Sequence, residues 1–206
     1  MGRPVPCGVS ARPYVADVVG GLEDLAAAEL RRLGAAAVRE GRGEVAFAHA
    51  DVGRVLRGAR IVSAVYAALT FDVPRPKALL GDAAFRRLAA ACREVARSGG
   101  MRSFRFAAAG AGSPAFRRLA AELSAAAGLT HDPQDGELLA RFRRAGAGWE
   151  VLLRLTPRPL STRAWRVCHI PGGANATVAA AMADLAGPEG SYLNLMCGSG
   201  TLLVER

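Results

Sequence analysis

The order of apolar and polar positions divides the chain into short strands and amphipathic helices. Pro13 to Val19 is rich in Val and Tyr and predicts a strand, which Gly20-Gly21 closes. Leu22, Leu25, Ala26, Leu30 and Leu33 then recur at helical spacing on one face, with Gly34 placed as a C-terminal cap. Glu44 to Ala48 alternates as a strand, Asp51 can cap a short helix through Leu56, and Ile61 to Val73 is a β-branched and aromatic run. This β-α-β-α-β order closes at Pro74-Arg75-Pro76, a candidate boundary.

Beyond it, Asp82 to Arg97 predicts a helix that buries Phe85, Leu88, Ala89, Cys92 and Val95 and turns Arg86, Arg87, Arg93 and Arg97 outward. Met101 to Ala107 alternates as a strand, and Ser113-Pro114 opens a helix that runs to Ala127. Leu138 to Arg144 and Trp149 to Leu155 read as strands parted by a glycine-containing hairpin loop. Leu160 to Cys168 is a basic, strand-like connector. After Pro171-Gly172-Gly173 a helix of small residues is expected from Ala174 to Leu185, stopped by Gly187-Pro188. The final stretch predicts a buried strand from Ser191, the glycine turn Gly198-Ser199-Gly200 and the first turn of a helix. No internal repeat or long low-complexity linker interrupts this order.

Composition narrows the class. At 206 residues, 51% of them apolar, the chain can bury one large or two small cores. Basic residues number 27 against 18 acidic ones, a net charge of +9, and Lys77 is the only lysine. An arginine surplus favours an anionic partner, most often nucleic acid, because each neutralised phosphate releases counterions. Arg141, Arg143, Arg144, Arg154, Arg163 and Arg166 are the candidates to grip an RNA backbone through bidentate contacts. The competing reading of each is a solvated position paired with a nearby acid. Trp165, among them, can stack on a base or simply pack.

Cys7, Cys92, Cys168 and Cys197 form no CxxC pair, and no His stands at zinc-ligand spacing, so neither a disulfide framework nor a metal site is expected. His49, His131 and His169 are dispersed, and surface or capping roles are expected of them. His131 to Gly136 is a turn by composition. The first residues lack the order of a secretion signal, and the longest nearly uncharged run, Ile61 to Phe71, falls short of the ~20 residues that cross a bilayer. A reduced, cytoplasmic location is the resulting expectation, with no membrane partner.

The glycine turn carries the candidate chemistry. Glycines let a backbone bend sharply and approach a ligand closely, and a helix start aims free N–H groups at that ligand. The turn lacks the third Gly of a dinucleotide fingerprint and nothing matches a P-loop, so a ligand without phosphates fits better. S-adenosylmethionine, with its carboxylate, amine and ribose, is such a ligand.

Asn194-Leu195-Met196-Cys197-Gly198-Ser199-Gly200-Thr201 and the apolar residues and Glu205 after it resemble the first cofactor motif of THUMP-containing RNA guanine-N2 methyltransferases, usually Asp-Pro-x-Cys-Gly-Ser-Gly-Thr. Leu160 to Arg166 is similar to that family's linker, and Pro171 to Met182 to the helix beside its cofactor. Gly21-Leu22-Glu23 and Glu29-Leu30 resemble its ferredoxin-like domain, and roughly Asp82 to Leu155 its THUMP domain. The resemblance implies an α+β chain: a ferredoxin-like domain over 12–80, an RNA-binding THUMP domain over 81–156, a linker over 157–173 and the incomplete start of a Rossmann-like methyltransferase domain over 174–206. It also implies S-adenosylmethionine contacts by Asn194, Cys197, Gly198, Ser199, Gly200 and Thr201, with structured transfer or ribosomal RNA as partner. Cys197 is expected to be a small packing residue rather than a reactive thiol.

Two departures mark the chain. Asn194 stands where the family has Asp, and the family's catalytic Asn/Asp-Pro-Pro-aromatic tetrapeptide has no counterpart, since no Pro-Pro pair occurs. A lone strand and one helical turn cannot bury both faces of a parallel sheet, so the chain is expected to be the amino-terminal piece of a longer enzyme, without catalytic residues of its own. The alternatives are a non-catalytic RNA-binding adaptor and a small-molecule methyltransferase.

Overall fold

The computed structural model describes residues 12–167, 171–187 and 189–206. Cys7, Cys168, His169 and Pro188, named above, lie outside the described residues. The chain is mixed α and β with mostly antiparallel pairing, and it divides into two compact units. One holds the residues up to Ser63 together with Arg163–Arg206, and the other is Ala64–Thr162. Pro74-Arg75-Pro76 falls inside the second unit.

In the first unit, β1 (Arg12–Asp17), β2 (Ala36–Gly41) and β3 (Glu44–His49) pair antiparallel in the order β2-β3-β1. Tyr14, Val15 and Ala16 of β1 are buried, as are Val45 and Phe47 of β3. The helix α1 (Glu23–Arg32) follows the predicted spacing and buries Ala26, Ala27 and Leu30, packing on β2 and β3. Its start is tied by Glu23, whose carboxylate accepts the backbone N–H of Gly21 at 2.7 Å and of Gly43 at 2.8 Å. These bonds hold the Glu23 carboxyl below its ordinary range. As expected, Asp51 caps α2 (Val52–Gly58), accepting the Gly53 N–H at 3.0 Å.

Three stretches of this unit depart from the sequence reading. The strand β2 carried no signal, because its side chains are almost all exposed and do not alternate, and its pairing shifts between Ala36 and Arg39. The basic connector from Leu160 is turns rather than strand over its described residues. Ser191 to Leu195 forms no strand either, and Leu193 and Leu195 are exposed. A strand is made by hydrogen bonds to a neighbour, and none of the described strands pairs with this stretch. The small-residue helix α5 (Ala176–Ala186) does form, capped by Asn175, which accepts the Thr177 N–H at 2.9 Å. It packs on α6 (Thr201–Glu205).

The second unit has five strands in the order β4-β8-β7-β5-β6: β4 (Ala64–Phe71), β5 (Ser103–Ala107), β6 (Thr130–His131), β7 (Leu138–Ala145) and β8 (Gly148–Arg154). The β7-β8 hairpin matches its predicted turn, while β5 runs parallel to β6 and β7. Two amphipathic helices, α3 (Asp82–Gly99) and α4 (Pro114–Ala127), supply Leu88, Cys92, Phe116, Leu119 and Leu123 to a core that includes Phe104, Leu138, Phe142, Val151 and Leu153. The two-residue β6, read from sequence as part of a turn, and a 3-10 helix at Pro76–Leu80 went unpredicted.

Candidate functional site

The glycine turn sits between α5 and α6. Gly198 has φ +52° and Gly200 φ +70°, left-handed conformations in which an L side chain is strained. The Gly200 N–H donates to the Cys197 carbonyl at 2.8 Å, closing the turn. Asn194 Oδ1 accepts the Met196 N–H at 3.2 Å, and Ser199 Oγ lies 2.7 Å from Thr201 Oγ1. A cleft of about 330 Å³ opens here between Gly172–Ala174, Met182 of α5 and the turn. Asn194, Cys197, Gly198, Ser199 and Thr201 all line it, so the fold gathers five of the six sequence-predicted cofactor residues around one space. Gly200 supplies the bend and is the N-cap of α6.

The helix after the turn forms where the residues predict it, beginning at Thr201. One expectation is corrected. Cys197 is exposed and does not pack. Cys92, by contrast, is buried in α3, and burial pushes its thiol up to about 12. Iodoacetamide is therefore expected to alkylate Cys197 in the folded chain and Cys92 only after denaturation, read by peptide mass mapping. Equal rates at the two would show that α3 opens readily.

The six predicted RNA-binding arginines have diverse surroundings. On β7, Arg141 Nη2 donates to Tyr66 Oη at 2.9 Å, and its guanidinium carbon lies 4.7 Å from the Tyr66 ring centroid. Arg143 Nε donates to its cross-strand neighbour Glu150 at 2.6 Å. Arg144, adjacent to Arg143 in the strand and so on the opposite sheet face, lies over Trp149. Arg154 is only 4% exposed, with Nε donating to the Thr156 carbonyl at 2.8 Å and Nη2 to the Glu137 carbonyl at 3.2 Å and the Pro157 carbonyl. Burial depresses its pKa, and the charges of Arg105 and Arg141 push the same way. In this arrangement Arg154 braces loops and does not face solvent. These four residues therefore do not form a single uniform surface.

Arg163 and Arg166 belong to the first unit and face α6. Arg163 Nε donates to Glu205 Oε1 at 2.7 Å, and Arg166 Nη2 donates to Thr201 Oγ1 at 2.8 Å and to the Ala174 carbonyl at 2.9 Å. Arg166 also lies over the partly exposed Trp165 ring at 5.3 Å. Sequence reasoning missed their partners Arg60 and Glu205 as a pair, and the buried acid Glu29. The one signal was an acid at an apolar position of each helix.

His49 has a structural place: Nδ1 accepts the Asp51 N–H at 2.9 Å, and Nε2 lies 3.1 Å from the Leu33 carbonyl. His131 packs against Phe104 and Phe106. Among the described residues no group of His, Cys, Asp and Glu could hold a metal ion, and no helix is long and apolar enough to cross a membrane.

Residues 163–206 match the family model UPF0020, described as RMKL-like, methyltransferase domain. The fold is similar to that of a predicted N6-adenine-specific DNA methylase from Listeria monocytogenes, at 18% identity and a TM-score of 0.65 over 95% of this chain and 54% of that one. TrmN from Thermus thermophilus is 25% identical, with a TM-score of 0.64 over 94% of this chain and 60% of that one. SMU.472 complexed with S-adenosylhomocysteine is 16% identical, with a TM-score of 0.62 over 95% and 54%. The chain thus spans between about half and three fifths of the length of these structures. A search of the curated proteins gives no match. The glycine turn and its cleft therefore lie within a stretch similar to a methyltransferase domain.

Proposed function

We propose that the chain is the RNA-holding and cofactor-loop portion of an S-adenosylmethionine-dependent methyltransferase that acts on N2 of guanosine in structured RNA. The observation that carries it is the cleft at Cys197-Gly198-Ser199-Gly200-Thr201, inside the residues that match a methyltransferase domain. The donor set suits the amino-acid and ribose end of the cofactor: backbone groups beside two left-handed glycines, the Asn194 amide and the Ser199 hydroxyl. Nothing lies within 4 Å of a Cβ built at either glycine, so the backbone there is open to close approach. Thr201 is 2% exposed and held by Arg166, so its role is to shape the turn. When bound, the cofactor supplies an electrophilic methyl group, and the protein's part is to hold cofactor and acceptor in line. None of the described residues is assigned as catalytic acid or base.

The domain reading goes with this proposal: ferredoxin-like over 12–80, THUMP over 81–156, a linker over 157–173 and the start of the methyltransferase domain from 174, in a cytoplasmic protein. Net charge of +9 supports an RNA partner.

The test has two arms. The chain is expected to bind transfer RNA with an affinity that falls about a thousandfold between about 50 and 200 mM salt. A longer protein containing these residues is expected to transfer labelled methyl from S-adenosylmethionine to guanosine N2. Methyl transfer to duplex DNA alone would move the substrate class to DNA. RNA binding with no response to S-adenosylhomocysteine in either protein would leave a non-catalytic adaptor.

A further inference from the structure

The glycine turn has little of its own to hold it. Gly198 and Gly200 adopt conformations strained for any other residue, and Leu195 and Met196 before the turn are exposed. Side-chain support for the turn comes from charged groups remote in sequence.

Glu205, in the last turn of α6, is 2% exposed. Its Oε2 accepts from Arg60 Nε at 3.1 Å and Nη2 at 2.9 Å, and its backbone carbonyl also accepts from Arg60 Nη2. Its Oε1 accepts from Arg163 Nε at 2.7 Å, while Arg163 Nη2 donates to the Arg60 carbonyl at 2.6 Å. Arg60 is fixed in turn, because the Glu29 carboxylate accepts its backbone N–H at 2.8 Å. At the other end of α6, Arg166 holds Thr201. The linker arginines at positions 163 and 166 thus grip the two ends of the helix, and Arg60 joins it to the strand-and-helix layer of the same unit. A guanidinium can bridge a carboxylate and a carbonyl at once because its donors are a rigid planar fork.

We infer that Arg60, Arg163 and Glu205 are positioning residues: they set the lie of α6 and so hold the glycine turn in its cofactor-ready shape. The inference rests on the cofactor role proposed for that turn. It reassigns Arg163 from RNA contact to loop support, and it gives a function to Arg60, which sequence analysis passed over.

The test is amide hydrogen exchange on the whole 206-residue chain, comparing wild type with Arg60→Met, Arg163→Met and Glu205→Gln. The informative amides are those of Gly200, Val204 and Arg206, which bond within the turn and α6. Each substitution is expected to speed their exchange about tenfold or more while β7 and β8 change less than about twofold. Arg163→Lys is expected to restore less than half of the protection, since an ammonium cannot span both acceptors. Arg57→Met, which removes an exposed arginine 3.9 Å from Asp51, serves as the unaffected control. Unchanged exchange at the three amides in Arg60→Met and Glu205→Gln would overturn the inference, as would full rescue by lysine or an equal rise throughout both units. A titration with S-adenosylhomocysteine separates the two ideas: a chain that ignores it while the exchange pattern holds removes the cofactor reading and leaves the loop support standing.

Discussion

Gly136→Ala is expected to destabilise the second unit by about 3 kcal/mol, the upper range for forcing extra volume into a packed interior. A Cβ on Gly136 would meet the Phe104 carbonyl carbon at 2.3 Å, its oxygen at 2.4 Å and the Arg105 nitrogen at 2.6 Å. All three are backbone atoms, and Phe104 cannot retreat because its ring is fully buried and stacked near Phe106 and His131. The added methyl would part β5 from the stretch leading into β7, where the Asp132 N–H donates to the Phe104 carbonyl at 2.9 Å. Gly112 is the matched control: nothing lies within 4 Å of a Cβ there and its φ is unremarkable. Gly112→Ala is expected to stay within about 0.5 kcal/mol of wild type. Urea unfolding of the two variants gives the comparison, and equal midpoints would show that the 130–137 turn does not press on β5.

Glu29→Ala is expected to cost the first unit about 2 kcal/mol, because it leaves the buried Ile61 N–H and the partly buried Arg60 N–H without their acceptor. The two donors lie 2.8 and 3.0 Å from the Glu29 oxygens, and Ile61 is 1% exposed. Glu29→Gln keeps an acceptor and removes the charge, so it isolates the pH dependence. Burial raises the Glu29 carboxyl above its ordinary 4.5, although the N–H groups of Arg60, Ile61 and Val62 and the charge of Arg32 oppose the shift. A carboxyl raised on folding adds stability below its unfolded value and loses that contribution as pH climbs through its folded value. The advantage of wild type over Glu29→Gln should therefore be fully present below the ordinary carboxyl range and shrink as pH rises above it. An advantage that grows with pH would mean that the N–H bonds outweigh burial.

Much of the scaffold was legible because its signals are local. The apolar spacing of α1, α3 and α4, the glycine-parted hairpin and the capping Asp51 all appear where the residues predict them. The turn from Cys197 to Thr201 was legible from its glycines, and the fold places those residues around one cleft. What escaped was decided by partners. An edge strand such as β2, with a register shift and Ala37 at φ +51°, presents no alternating face to read. Ser191 to Leu195 has the right residues for a strand and no strand beside it among the described residues. The Arg60–Glu205 pair spans 145 residues of sequence, and no window of spacing can connect such positions. The surroundings of the arginine group were hidden for the same reason: alternation along β7 sends Arg143 and Arg144 to opposite faces, and burial of Arg154 depends on what folds over it.

Along the last helices and the turn, Leu185, Leu193, Leu195 and Met196 are each at least 70% exposed, with Leu203 and Val204 about half so. Water therefore meets several large apolar side chains in this short stretch, and soluble monomers keep exposed apolar patches small. In the 206-residue chain these side chains are expected to favour self-association as concentration rises, which light scattering with and without mild detergent checks.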